Sequence, residues 1–474
     1  MTLTFGVVVH IALQIMTAIR ALTRRNRQPA SRAAWLLLIA ALPVVGIAFY
    51  FLFGETKIGN RTARRMEEAT KRLGRPRDAE VLRPQVPAQF HQIFRRAAAV
   101  NGFQPVGGNT ASLPPDENAA IAALIADIDA ARDHVHLLFY IWLDDVNGSR
   151  VLDAVERAAA RGVTCRLLVD GLGSRRMARS SRWRHLSENG VQTAITFKMR
   201  WLFLHIFFAR IDLRNHRKIA VIDGCIGYCG SQNCADPEFR VKAKYAPWVD
   251  VLLRIEGPVV GQLQHIFAID WMTHAREDIS GLLDDPHHAH PGGFPAIAAG
   301  TGPNIDNRAV SDLFAMLLGS AEEEVIITTP YYVPDDTLQR AIFGAALRGI
   351  RVTMILPERN DSFIVARASR SYYSDLLSAG VRLAEYHGGL LHAKTLTVDG
   401  RATCIGSANM DRRSFELTYE NNVILVSDEV TGLIRDRQLA FLANARVLGR
   451  DDPESRRWIG RAIDNLFATI GPLL

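Results

Sequence analysis

Two long apolar runs open the chain. Leu3–Ile19 is uncharged over 17 residues and Ala33–Phe53 over 21, with Arg20, Arg24, Arg25, Arg27 and Arg32 between them. About 20 apolar residues cross a bilayer as a helix, so the pattern predicts a two-helix transmembrane hairpin over residues 1–55, with Arg20 snorkelling to the interface. A cleaved signal peptide fits the first run poorly, since no basic segment precedes it and no small-x-small site follows. A buried core helix is the rival for the second run. Its length and Pro43, which bilayer spans tolerate, argue against that. Sidedness is divided. Five arginines lie in the loop, but residues 57–77 carry eight basic side chains (Lys57, Arg61, Arg64, Arg65, Lys71, Arg72, Arg75, Arg77), partly offset by Glu67 and Glu68. The balance leans to a cytoplasmic placement of the remaining chain.

After a polar linker over 56–116, the pattern of elements occurs twice. In the first copy a helical period covers Ala119–Ala131 and an apolar strand covers Val135–Trp142, followed by Asp144-Asp145. A helix then ends Ala160-Arg161-Gly162-Val163 and leads into a strand at Cys165–Val169. In the second a helix at Ala309–Ser320 precedes a strand at Val325–Thr329, then Pro330-Tyr331-Tyr332 and Asp335-Asp336. Its next helix ends Leu347-Arg348-Gly349-Ile350 before a strand at Val352–Leu356. Strands alternating with helices of this length predict an α/β fold with a largely parallel sheet. The shared punctuation predicts two such domains, 117–280 and 295–474, related by a pseudo-twofold.

Composition narrows the partner but does not choose it. A net charge of +7 and a pI near 9.3 point to an anionic partner: nucleic acid, an acidic membrane surface or a phosphorylated substrate. Cys165, Cys225, Cys229, Cys234 and Cys404 are odd in number and lack CxxC spacing, which argues against a disulfide framework or zinc site and favours a reducing compartment. Only seven lysines stand against 49 arginines, so individual lysines draw notice.

Two of the seven fall in one motif. The first copy reads His216-Arg217-Lys218, Asp223, then Gly230-Ser231-Gln232-Asn233. The second reads His392-Ala393-Lys394, Asp399, then Gly406-Ser407-Ala408-Asn409, with identical spacing. About 0.2 His-x-Lys pairs are expected by chance at this composition, so two with matching downstream residues are no coincidence. A phosphodiester resists attack, so its cleavage needs a good nucleophile, fixed positive charge and a proton donor for the leaving alkoxide. The strand period sends His and Lys, two apart, to one face and into one cleft. One histidine serves as nucleophile and the other as general acid, then base, while the lysines bind phosphate oxygens. His216 is assigned as nucleophile and His392 as acid/base, although the pseudo-symmetry leaves the reverse open. Ser231, Asn233, Ser407 and Asn409 can donate hydrogen bonds to the phosphate. Asp250 and Glu420, 34 and 28 residues after the histidines of their own copies, are candidates to anchor the second imidazole nitrogen.

The doubled motif resembles the HKD motif of the phospholipase D superfamily. The resemblance implies two pseudo-twofold-related α/β/α domains packed face to face, with one active site built from both motifs; Asp223 and Asp399 are counted with its catalytic set beside the histidines and lysines, although the motif Asp is more often structural. Further stretches are similar to bacterial cardiolipin synthases. They comprise the hairpin string from Ala33 through Pro43 and Gly46 to Tyr50-Phe51-Leu52-Phe53-Gly54-Glu55, Asp212 through Lys218, Pro247-Trp248-x-Asp250 through Pro258, and Asn409-Met410-Asp411-x-Arg413-Ser414-Phe415. Cys225 occupies a spot often basic in that family and Ser231 one often Gly, which touches fine specificity rather than reaction class.

The family likeness implies a multi-pass protein of the bacterial inner membrane that moves a phosphatidyl group between two phosphatidylglycerols through a phosphohistidine and releases glycerol. No metal, cofactor or nucleic acid is implied, and a homo-oligomer is compatible. The alternatives are a phospholipase D hydrolase or transphosphatidylase and, further off, a nuclease, which has no use for a membrane hairpin. Trp201–Phe208 either dips into the bilayer to collect lipid or forms an ordinary buried element. His287, His288 and His290 read as a solvated linker rather than a metal site.

Overall fold

The computed structural model describes residues 2–24, 29–55, 58–74, 84–198, 210, 212–283, 289–306, 308–449 and 458–470. Trp201–Phe208, His287 and His288 lie outside the described residues.

The N-terminal segment forms α1 (Thr2–Thr23), α2 (Pro29–Ala41) and α3 (Pro43–Phe53). Among the described residues one helix is long and apolar enough to cross a membrane, over Phe5–Thr23. The second apolar run is not one continuous helix. Proline lacks the N–H that would continue the helix and clashes with the preceding turn, so the run breaks at Leu42-Pro43.

Residues 58–116 are more than a connection. They hold α4 (Asn60–Leu73), α5 (His91–Asn101), whose Ile93, Phe94 and Ala97 are buried, and strand β1 (Val106–Ser112). The first repeat then runs α6 (Glu117–Ala130), β2 (His134–Phe139), α7 (Val146–Ala160), β3 (Thr164–Asp170), β4 (Gln192–Thr196), β5 (Lys218–Ile222), β6 (Ile226–Gly230), β7 (Leu252–Glu256) and α8 (Val259–His274). The second runs β8 (Phe294–Thr301), α9 (Ala309–Ser320), β9 (Glu324–Thr328), α10 (Asp336–Leu347), β10 (Arg351–Pro357), α11 (Phe363–Ser371), β11 (Arg382–Tyr386), β12 (Thr395–Val398), β13 (Ala402–Gly406), β14 (Thr418–Val426), α12 (Asp428–Ala443), β15 (Ala445–Val447) and α13 (Trp458–Ile470).

The strand orders are superposable. The first half reads β1-β7-β6-β5-β2-β3-β4 and the second β8-β14-β13-β12-β9-β10-β11, with β15 added at the far edge. β1 and β8 pair antiparallel, Val106 opposite Ala296, and fuse the halves into one sheet. The sheet is mixed rather than largely parallel: β2-β3-β4 and β9-β10-β11 run parallel, and the other neighbours along these orders are antiparallel. The antiparallel part comprises the hairpins that carry the motifs, β5-β6 and β12-β13, and the strands flanking them.

The repeated punctuation has local causes. Asp145 caps α7 by accepting from Gly148 N at 2.9 Å, and Asp335 caps α10 by accepting from Leu338 N at 2.9 Å. Gly162 and Gly349 close the same helices at φ 91° and 88°, and the following residue bonds back to the last turn (Val163 N to Ala158 O, Ile350 N to Ala345 O). Only glycine takes that left-handed closing position without strain. The helices cover both faces of the sheet, and the core runs unbroken across the seam through Phe94, Phe267, Ile297 and Leu313.

Candidate active site

The cavity lies at the carboxyl ends of the parallel strands, where two short ladders cross between the halves. Arg214-Asn215 pairs in parallel with Thr418-Tyr419, and Trp248-Val249 with Leu390-Leu391. Each ladder delivers a motif histidine to the other half. His216 N donates to Tyr419 O at 2.9 Å and His392 N to Val249 O at 2.7 Å. The next residues, Glu420 and Asp250, are the candidate anchors.

The anchoring is therefore crosswise, not within each copy as their order in the chain suggests. His216 Nδ1 lies 3.0 and 3.1 Å from the two carboxylate oxygens of Glu420, and His392 Nδ1 lies 2.7 Å from Asp250 Oδ1. This leaves Nε2 of each ring as the nitrogen not committed to a carboxylate. Both imidazoles line one cavity of about 530 Å³. Tyr140 packs edge-on against His216 at 4.8 Å and Trp248 tilts over His392 at 4.7 Å. His and Lys do not share a regular strand as the period implied. His216, His392 and Lys394 precede β5 and β12, and each lysine curls back so that its ammonium donates to the carbonyl of its own histidine, at 2.6 Å for Lys218 and 2.5 Å for Lys394.

Burial dominates the electrostatics. It drives His216 down to about 4, against the opposing pull of Glu420, and His392 also lies below its ordinary value. Burial takes Lys218 down to about 7 and Lys394 to about 8, each partly held up by the nearby carboxylates. Desolvation pushes Asp250 and Glu420 upward, but the facing His and Lys outweigh it and both stay below the usual carboxylate range. The site is thus two neutral imidazoles fixed by two anions beside two lysines poised near neutrality.

The serines take a different role from the one expected. Ser231 Oγ donates to Asp250 Oδ1 at 2.5 Å and Ser407 Oγ to Glu420 Oε2, so both hold the anchoring carboxylates rather than present themselves to a phosphate. Thr418 Oγ1 completes the grip on Glu420 at 2.7 Å. The glycines before the serines are needed because a Cβ at Gly230 or Gly406 would lie 2.1 or 2.2 Å from the carbonyl oxygen of Val251 or Asn421. Asn233 and Asn409 line the cavity; Asn233 Oδ1 accepts from Ile141 N at 3.1 Å, and Asn409 Oδ1 is buried without a partner.

Asp223 and Asp399 are not among the residues lining the cavity. Each turns a hairpin at positive φ, 50° and 52°, and accepts three backbone N–H bonds from the segment entering β2 or β9 (Arg132, Asp133 and His134; Glu322, Glu323 and Glu324). Their inclusion with the catalytic set is corrected: they are hairpin clamps. His290 lies 3.6 Å from Glu256.

Two contributors escaped the sequence reading. Arg217, the variable position of the motif, is buried and joins the halves through Asp270 at 2.7 Å, Glu420 O at 3.1 Å and Thr301 O at 3.1 Å. Its charge, opposite an alanine in the second copy, was the available signal. Lys242 bridges to Asp361 at 2.5 Å across the cavity mouth, and Tyr331 OH donates to the same carboxylate at 2.6 Å. Apolar side chains also stand at that mouth: Leu172, Val241 and Ile364 line it while remaining 40%, 52% and 41% exposed. Phe363 and Leu466 extend the patch, with α13 packed on α11 through Phe363–Phe467.

A doubled α/β/α fold with one cavity lined by the histidines of two His-x-Lys motifs defines a phospholipase D-type protein. A profile described as "Cardiolipin synthase, PLD-like domain" matches residues 124–271 and 314–437, and one described as "Phospholipase D-nuclease N-terminal" matches residues 12–55. The chain is 34% identical to "Cardiolipin synthase A" of Serratia proteamaculans (strain 568), and 34% identical to that of Yersinia pseudotuberculosis serotype O:1b. Each alignment covers 96% of this chain and 95% of the relative. The crystal structure of a phosphatidylserine synthase from Haemophilus influenzae Rd KW20 shares the fold, with a TM-score of 0.58 at 14% identity, covering 81% of this chain and all of that one. The chain belongs to the cardiolipin synthase family of phospholipase D-like proteins.

Proposed function

We propose that this protein is a phosphatidyltransferase that makes cardiolipin from two molecules of phosphatidylglycerol, with 117–280 and 295–474 as its catalytic halves and its catalytic region on the cytoplasmic side of a bacterial inner membrane. The observation that carries the reading is the pair of crosswise His–carboxylate contacts in one cavity whose mouth, bridged by Lys242 and Asp361, also presents exposed Leu172, Val241 and Ile364. Acyl chains leave through such a mouth, whereas a nuclease groove would be polar and basic.

His216 Nε2 attacks phosphorus, and the bond to the headgroup oxygen breaks as His392, neutral in the empty site and protonated from solvent once the anionic phosphodiester binds, gives that oxygen its proton, releasing glycerol. His392, now neutral, takes the proton from a hydroxyl of the second phosphatidylglycerol, whose oxygen displaces His216. His216 is favoured as nucleophile because its side chain is 13% exposed against 4% for His392. The lysines bind the nonbridging oxygens, and the anionic phosphate raises their proton affinity on binding.

The test is purified enzyme in phosphatidylglycerol vesicles, with cardiolipin, glycerol and phosphatidic acid followed in time. Cardiolipin and glycerol in equal amounts, abolished by His216→Ala and by His392→Ala, support the reading. Phosphatidic acid as the main product would make the protein a hydrolase instead.

A further inference from the structure

The apolar N-terminus is drawn in the sequence as two spans, but its contacts trace a different path. Gln14 Nε2 donates to Ile39 O at 3.0 Å, so α1 and α2 lie side by side. The chain then reverses at Leu42-Pro43. Trp35 meets Tyr50 with ring centroids 5.3 Å apart, and Gly46 is pressed so closely on α2 that a Cβ there would lie 2.4 Å from Leu38 O. Residue 35 opposite 50 and 38 opposite 46 is the register of an antiparallel helical hairpin. The return is completed at Glu55, which pairs with Arg20 at 2.5 Å, lies 3.7 Å from Arg24, and receives Tyr50 OH at 3.2 Å. The end of α3 is therefore back beside the end of α1.

Length agrees. At about 1.5 Å per residue α1 measures about 33 Å, enough for a hydrocarbon core of about 30 Å, while α2 and α3 reach about 20 and 17 Å and cannot cross it. Polar backbone at the Leu42-Pro43 break is tolerated at membrane depth when packed in protein, and Leu42 N still bonds to Leu38 O and Gly46 N to Leu42 O.

We infer that α1 is the single crossing and that α2–α3 is a re-entrant hairpin, entering and leaving the bilayer on one face. The arginine loop at 20–32 and the basic stretch at 57–77 then lie on the same side. The conflict between them disappears: every described lysine and arginine of the first 74 residues is on that side, and no lysine or arginine precedes Arg20. The charge asymmetry places that side, and the catalytic halves with it, in the cytoplasm.

Single cysteines at Thr23 and Asn60, both exposed positions, decide the matter in full-length protein whose half-exposed Cys225 is changed to Ser. Each variant is first checked for wild-type product formation, then treated with a membrane-impermeant maleimide in right-side-out and inverted membrane vesicles. The expected result is labelling of both positions in inverted vesicles only. Thr23→Cys and Asn60→Cys labelled from opposite sides would restore two spans and overturn the re-entrant hairpin. Both labelled in right-side-out vesicles would overturn the orientation. Neither readout depends on which lipid the enzyme makes, so this inference and the proposed reaction fail separately.

Discussion

Replacing Glu420 with glutamine isolates the crosswise anchor. The change keeps shape and hydrogen-bonding reach but removes the anion that faces His216 Nδ1 from 3.0 and 3.1 Å in a fully buried setting. Ser407 and Thr418 both donate to the carboxylate, so an amide in its place turns one N–H donor against a donor and offers His216 an N–H where an acceptor is required. In the Ser-His-Asp triad the equivalent Asp to Asn change costs about 10⁴ in kcat, so Glu420→Gln is expected to slow transfer by about 10³–10⁴-fold, or ~4–5.5 kcal/mol of barrier. Asp250→Asn acts on His392 in the same way. The two separate with a substrate whose headgroup is nitrophenol. That leaving group needs no proton, so Asp250→Asn still forms the phosphohistidine and accumulates it, detected as acid-labile, alkali-stable radiolabel on the protein. Glu420→Gln forms it slowly. Accumulation in Glu420→Gln and not in Asp250→Asn would exchange the roles of the two histidines. A loss below about tenfold in both variants would refute the claim that the distant carboxylates set ring orientation and charge.

Two further outcomes follow from the same electrostatics and packing. With Lys218 near 7 and Lys394 near 8, the protonated lysines proposed to bind phosphate are lost as pH rises, so kcat/KM, already declining as His392 loses the proton it donates, should fall more steeply through pH 7–8. Lys218→Arg, which stays charged, should move that descending limb upward, read from profiles between about pH 5 and 10. His216, near 4, is already neutral through this range and contributes no ascending limb above about pH 5. Arg217→Met strands the buried Asp270 carboxylate and should cost about 3–5 kcal/mol of stability, measured by denaturant unfolding in detergent; adding Asp270→Asn should return part of it.

Much of the fold could be read along the chain because its signals are local. Helix caps at Asp145 and Asp335, closing glycines at 162 and 349, and the Asp-Gly hairpin turns at 223 and 399 act within a few residues, so they leave the same trace in both copies. The seam strand Val106–Ser112 left none: a Gly- and Asn-bearing segment without apolar alternation is held as a strand by partners on both sides. The two motif histidines that meet at the cavity were legible as candidates because each stands in the same spaced pattern. Their pairing was not. His216 meets Glu420 across 204 residues and His392 meets Asp250 across 142, and the exchange arises only when the halves dock. The serines were misjudged for a similar reason, since a hydroxyl serves a phosphate or a carboxylate equally well and only the geometry decides. The apolar run over 33–53 was long enough to span, and its reversal depends on one proline and one close helix crossing at Gly46.

The exchange of anchoring acids means that neither half owns a complete set of reacting groups. A half expressed alone would keep its histidine, its lysine and its hairpin but would lack the anion that fixes the ring, so mixing inert fragments should regenerate turnover where each alone has none. The two halves are not interchangeable in this exchange, since Arg217 stands beside one histidine and Ala393 beside the other.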